Sequence, residues 1–250
     1  MSLQSALPFE GELTPAPHRK FKETIVFVHH FGGSKRLLKR HLEFVNELGF
    51  DAIRFSVSPN EKLPKSLLPN KGGLKFGARH AWADQVETIL NHVPGKKIIY
   101  SFSMPSNGAL EAIARRKAED VSAWVCDGGP FAQILRCTWN LLTHEQKVEN
   151  RFLRGIASGF AYLFFGLRLK AELKALAREI PKDFPVLSIR GEKDPLVPVS
   201  AIVDIFEELP QLDLEVLILA EGVHLDGLKN DPELYKPAVE RFLSRSATLI

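Results

Sequence analysis

The stretch Lys97-Ile98-Ile99-Tyr100-Ser101-Phe102-Ser103-Met104-Pro105 constrains this chain more than any other, because a continuous apolar run meets a serine and a helical pattern follows at once through Leu110 and Ile113. A strand that turns directly into a helix forces its central turn residue into an unusual backbone conformation with the side chain exposed. Residues two positions away must be small. Ser101 meets that demand on the entry side. Pro105 stands on the exit side, where a first helical turn tolerates its missing N–H. A rival register centres the turn on Ser106, but it puts Met104 at a small-residue position and Pro105 directly before the serine. Ser103 is therefore the preferred nucleophile candidate. A serine after a strand also serves as a helix cap, so its chemistry depends on partners elsewhere in the chain.

A serine hydroxyl is a weak nucleophile until an imidazole accepts its proton and a carboxylate holds that imidazole. Both partner types follow in the order Ser, Asp, His. The apolar strand from Phe184 to Arg190 closes on Gly191, and the turn Glu192-Lys193-Asp194-Pro195 carries Asp194. A second apolar strand, Leu214 to Ala220, leads into Glu221-Gly222-Val223-His224. Each candidate thus lies just past the carboxyl end of a strand, the edge where open α/β sheets place their sites. Asp127, in Trp124-Val125-Cys126-Asp127-Gly128-Gly129, also follows a strand and is the alternative acid.

This ordered set resembles the α/β-hydrolase superfamily, and the resemblance runs from about Thr24 to Phe242. Ile25-Val26-Phe27-Val28 followed by His29-His30-Phe31-Gly32-Gly33-Ser34 is similar to the family's His-Gly loop, with His30 in place of the glycine. The resemblance implies an oxyanion hole built from the backbone N–H groups of Phe31 and Met104. Such a donor is worth about 3–4 kcal/mol in the transition state. It also favours Asp194 over Asp127, since Gly191 to Pro198 looks like the family's acid turn.

Elsewhere the pattern alternates. Leu38, Leu42, Val45 and Leu48 recur at helical spacing and stop at Gly49, a strand is expected from Ala52 to Val57, and Trp82, Val86, Ile89 and Leu90 mark another helix. Alternating strands and helices argue for an α/β fold with a mostly parallel sheet flanked by helices. The proline-bearing first 22 residues are expected to wrap the domain and not to add two full strands. From about 128 to 183 the alternation stops and the chain reads as helical. By resemblance this insertion is a cap or lid, with Phe160, Phe164 and Phe165 as candidates, together with His30, for lining an apolar substrate pocket. The apolar run Ile156 to Leu167 is about 12 residues, short of the roughly 20 needed to span a bilayer. Lys62, Lys65, Lys71, Lys75 and Arg79 lie in a Gly/Pro-rich loop expected near the mouth of the site, usually a solvated surface.

Composition fits this frame and excludes others. A length of 250 residues suits one domain spanning 1–250, and a net charge of +3 without basic-aromatic motifs does not suggest nucleic acid. The two cysteines, Cys126 and Cys137, form no disulfide framework. Among the eight histidines no metal-ligand spacing occurs, so neither a metal nor a cofactor is expected. His41 falls in the first helix. His18, His80, His92 and His144 fall in polar or loop contexts and are expected at the surface. The first ten residues lack a basic and apolar secretory pattern, which points to a cytoplasmic protein.

The expectation is a serine hydrolase acting on a small to medium ester or thioester through Ser103, His224 and Asp194. A non-catalytic ligand-binding or interaction protein on the same scaffold is the alternative, motivated by His30 and Pro105 at positions where the family has glycine. An apolar lid or an edge strand leaves a homodimer open.

Overall fold

The computed structural model describes residues 7–57, 78–165, 168–206 and 209–250, without the side chain of Phe164. Seven strands form one sheet in the order β1-β3-β2-β4-β5-β6-β7. They are β1 (Glu12–Thr14), β2 (Thr24–Val28), β3 (Asp51–Arg54), β4 (Lys97–Phe102), β5 (Val121–Asp127), β6 (Pro185–Gly191) and β7 (Asp213–Leu219). All pairs are parallel except β1 with β3. The N-terminal segment, expected to wrap the domain and not to add two full strands, adds one three-residue antiparallel strand at the edge.

The central strands are apolar at nearly every position because both their faces are covered. Side chains alternate across a strand, so Val26, Val28, Ile99, Trp124 and Cys126 enter one core layer, while Ile25, Phe27, Ile98, Tyr100 and Val125 enter the other. Against the first layer pack α2 (Ala78–His92) and α3 (Ser106–Arg115); against the second pack α1 (Lys39–Leu48) and, near the C-terminus, the last helix, Pro232–Ser246. Burying a Val, Leu, Ile or Phe contributes roughly 1.5–3 kcal/mol each, so these layers hold the sheet against its chain entropy. Helix α1 stops where Gly49 adopts φ +106°, a left-handed cap open to glycine.

Between β5 and β6 the chain forms α4 (Ile134–Asn140), a single π turn (Leu141–Glu145), α5 (Arg151–Phe165) and α6 (Leu169–Arg178). After β6 come α7 (Val199–Phe206), then β7, the short α8 (Gly227–Asn230) and α9 (Pro232–Ser246). Among the described residues no helix is long and apolar enough to cross a membrane.

Two surface expectations fail here. Arg79 and His80 are both buried in the first turn of α2, where Arg79 Nε pairs with Glu111 Oε2 at 2.6 Å and the His80 Nδ1 lies 2.7 Å from Glu111 Oε1. Arg115 also pairs with Glu111, and Arg79 reaches Glu172 of α6 at 2.6 Å. Burial would raise the Glu111 carboxyl, but its bond with His80 and the two guanidinium groups override that and bring it to about 2. Lys62, Lys65, Lys71 and Lys75 lie outside the described residues.

Candidate active site

Strand β4 delivers Ser103 to the carboxyl edge of the sheet with φ +52°, in the left-handed region that a side chain rarely adopts. The strain is held by neighbours. Ser103 N–H donates to the Asp127 carbonyl at 2.8 Å, and Ser106 N–H donates back to the Ser103 carbonyl at 3.0 Å as α3 begins. Gly129 is required beside it, since a Cβ there would stand 2.4 Å from the Ser103 carbonyl oxygen. Pro105 sits at φ −61° and ψ −14°, helical values its ring already favours, so it does not disturb the turn.

The loops after β6 and β7 bring the other two candidates together. Gly191 lies so close to the second loop that a Cβ would come within 2.5 Å of the Gly222 carbonyl oxygen. Lys193 N–H donates to that same carbonyl at 3.1 Å. Asp194 uses Oδ1 to accept the backbone N–H groups of Leu196 and Val197 at 2.7 and 2.9 Å, which leaves Oδ2 for the Nδ1 of His224 at 2.6 Å. A carboxylate only accepts, so Nδ1 carries the proton and Nε2 presents a lone pair. That Nε2 lies 3.0 Å from Ser103 Oγ. Ser106, the rival register, is fully buried and its Oγ has no partner among the described residues.

No protein family's profile and no curated protein matches the chain. Solved structures do. An esterase of Pyrococcus furiosus superposes with a TM-score of 0.65 at 17% identity, over 94% of this chain and 86% of that one. A hydrolase from Oleispira antarctica gives 0.62 at 17% identity over 94% of both chains. A monoacylglycerol lipase of Paleococcus ferrophilus gives 0.59 at 16% identity, over 94% of this chain and 99% of the other. This chain has the α/β-hydrolase fold.

Within the α/β-hydrolase fold the loop after β2 lies beside Ser103 and is clamped by a histidine. Val57 N–H donates to His29 Nε2 at 2.8 Å, so the ring proton is on Nδ1, which donates to the His30 carbonyl at 2.8 Å. Gly33 N–H donates to that carbonyl as well, at 3.0 Å. The peptide plane joining His30 to Phe31 is thereby fixed from its carbonyl side. Burial lowers His29, and burial together with the nearby His29 and His224 brings His30 down to about 4, so both rings are neutral near pH 7.

Asp127 reaches the same edge but is engaged elsewhere. Tyr235 of α9 donates to its Oδ2 at 2.7 Å, the Tyr100 and Tyr235 hydroxyls share a short bond, and His41 Nε2 lies 3.3 Å from the Tyr235 oxygen. His41, on α1, is buried among the rings of Tyr100, Phe102 and Tyr235. Burial, opposed by the Tyr235 bond and His224, raises Asp127 to about 6.

The pocket candidates separate. Phe165 packs edge-on to Phe31 at 5.9 Å and lies 5.6 Å from Trp82, beside the loop after β2. Phe160 is 69% exposed, and the side chain of Phe164 lies outside the described residues. Among the described residues no cluster of His, Cys, Asp and Glu is arranged to hold a metal ion. Sequence reasoning overlooked the His29 clamp and the Tyr235 network. The doubled histidine after β2 was the signal for the clamp, and nothing local to Asp127 marked Tyr235 as its partner.

Proposed function

We propose that the chain is a serine hydrolase that cleaves a small to medium carboxylic ester or thioester. The observation that carries this reading is the unbroken bond relay from Ser103 Oγ through His224 to Asp194, at 3.0 and 2.6 Å, with the serine held at positive φ. In the proposed mechanism His224 Nε2 takes the Ser103 proton as Oγ attacks the carbonyl carbon, and Asp194 holds the imidazole and stabilises its charged form. The backbone N–H groups of Phe31 and Met104 are assigned to the oxyanion, the first oriented by the His29 clamp. His224 then protonates the leaving alcohol or thiol, and water, deprotonated by the same imidazole, releases the acid. The helices between β5 and β6 are assigned as a cap, with Phe165 and His30 facing the acyl or alcohol group. The esterase and the lipase among the structural neighbours support the ester class.

Labelling with a fluorophosphonate tests it. The expected result is one adduct on Ser103, located by mass spectrometry and absent from Ser103→Ala. An unlabelled protein, under conditions where a reference serine hydrolase labels fully, would leave the binding-protein reading in its place.

A further inference from the structure

Helix α5 packs one side on the core and leaves a second, apolar side exposed. At 100° per residue, one side carries Ser158, Ala161, Tyr162 and Phe165. Ser158 is 4% exposed, and the other three pack against the core. Arg154, on the same side, lies over the Trp139 ring and donates to Thr143 Oγ1 at 2.6 Å. The opposite side presents Phe152, Leu153, Ile156, Phe160 and Leu163, at 75, 53, 43, 69 and 59% exposure. Gly155 and Gly159 fall in the same arc, and a Cβ at either would meet nothing within 4 Å. No charged residue falls in this arc. A surface helix ordinarily turns such a stripe to the core, and a contiguous apolar face of several hundred Å² marks an interaction site.

Charge selects the occupant. Residues 128–183 hold nine Lys and Arg against five Asp and Glu, a net +4 in a chain of +3, so the remainder of the protein carries −1. Arg151 at the start of α5 and Arg168 just beyond its end are both exposed. Two copies pairing antiparallel through this face would bring the Arg151 end of one helix to the Arg168 end of the other, like charge against like. An anionic lipid surface complements both features. We infer that the outer face of α5 docks the protein on anionic lipid. Phe152, Ile156, Phe160 and Leu163 enter the boundary between headgroups and acyl chains, and Arg151 and Arg168 meet the phosphates. The helix is 15 residues long and its other side is held against the core, so it lies in the plane of the interface. The inference requires nothing of Ser103.

Co-sedimentation with sucrose-loaded vesicles tests it, using phosphatidylcholine alone and phosphatidylcholine mixed with phosphatidylglycerol. The full chain should sediment with the mixed vesicles and much less with phosphatidylcholine alone. The Phe152→Ser/Phe160→Ser and Arg151→Gln/Arg168→Gln variants should each lower the partition ratio roughly tenfold or more. All four side chains are exposed, so thermal unfolding by circular dichroism should be unchanged. Equal binding to both vesicle types, no binding to either, or binding that survives the double Phe substitution overturns the proposal. So does a dimer in sedimentation equilibrium that Phe152→Ser/Phe160→Ser dissolves, which would assign the face to a second copy.

Discussion

The last residue of β5 and the turn after β6 each place a buried aspartate at the same edge of the sheet, yet the two carboxylates live differently. Asp194 receives two backbone N–H groups and an imidazole N–H. Asp127 receives one hydroxyl, from Tyr235, and burial still holds its pKa up at about 6 despite that bond. Residue type and sheet edge are shared, though Asp127 ends its strand and Asp194 lies three residues past its own. The difference is the number of donors delivered, and that comes from the chain beyond each strand: a tight turn rich in N–H groups after β6, against two glycines after β5 that supply only room. Gly128 at φ +65° sits against the His224 ring, where a Cβ would lie 3.4 Å from Cε1. Asp127 therefore acts on the imidazole as a charge, and Asp194 as its ligand.

Substitution separates those roles most sharply. On the proposed reading, Asp194→Asn should slow fluorophosphonate labelling of Ser103 by roughly ten-thousandfold, because the amide favours the wrong imidazole tautomer. Asp127→Asn keeps an acceptor for Tyr235 and should cost no more than about tenfold, as a charge felt through space. A larger loss from Asp127→Asn than from Asp194→Asn would reverse the assignment of the acid.

The network behind Asp127 gives the next largest effect. Tyr235→Phe removes the donor to a buried carboxylate and the bond between two buried hydroxyls. Leaving such a group unsatisfied costs about 1–3 kcal/mol, to be read from urea unfolding. Combined with Asp127→Asn, which removes the charge that needs the hydroxyl, the two losses should be less than additive. Strict additivity would mean that the bond contributes nothing and that Tyr235 matters only as packing.

The same contrast shows what can be read from a sequence. Buried strands such as Thr24–Val28 and Lys97–Phe102 announce themselves as apolar runs, and the serine, aspartate and histidine announce themselves by lying just past such runs. Those signals are local. Tyr235 lies 108 positions from Asp127, and Glu111 lies 31 from His80. Nothing local distinguishes a histidine paired with a distant carboxylate from a solvated one, so Arg79 and His80 looked like surface residues. The orientation of α5 was hidden for another reason. Its phenylalanines read as pocket lining because apolar stripes ordinarily turn inward, and only the packing of Ser158 and Arg154 inward reveals that the stripe bearing Phe160 faces out.

The smallest expected effect separates two buried groups of one network by the sign of their pH dependence. Burial, with Arg40 nearby, lowers His41 from 6.5 to about 3. Between those values the unfolded chain holds a proton that the folded chain refuses, so stability is lost as pH falls below 6.5. From pH 6.5 to 5 that loss is about 2 kcal/mol. Asp127 runs the other way. Its folded pKa lies above its unfolded value of 3.8, so the folded chain holds the extra proton and stability falls as pH rises from about 4 to about 6. Urea midpoints measured from pH 4.5 to 7 should therefore rise less steeply in His41→Phe than in the wild type, and more steeply in Asp127→Asn. Parallel curves would mean that neither group changes its proton affinity on folding. The same direction of change in both variants would mean that the pair titrates as one unit through the Tyr235 hydroxyl, and the contrast between the two turns would then belong to the network and not to its carboxylates.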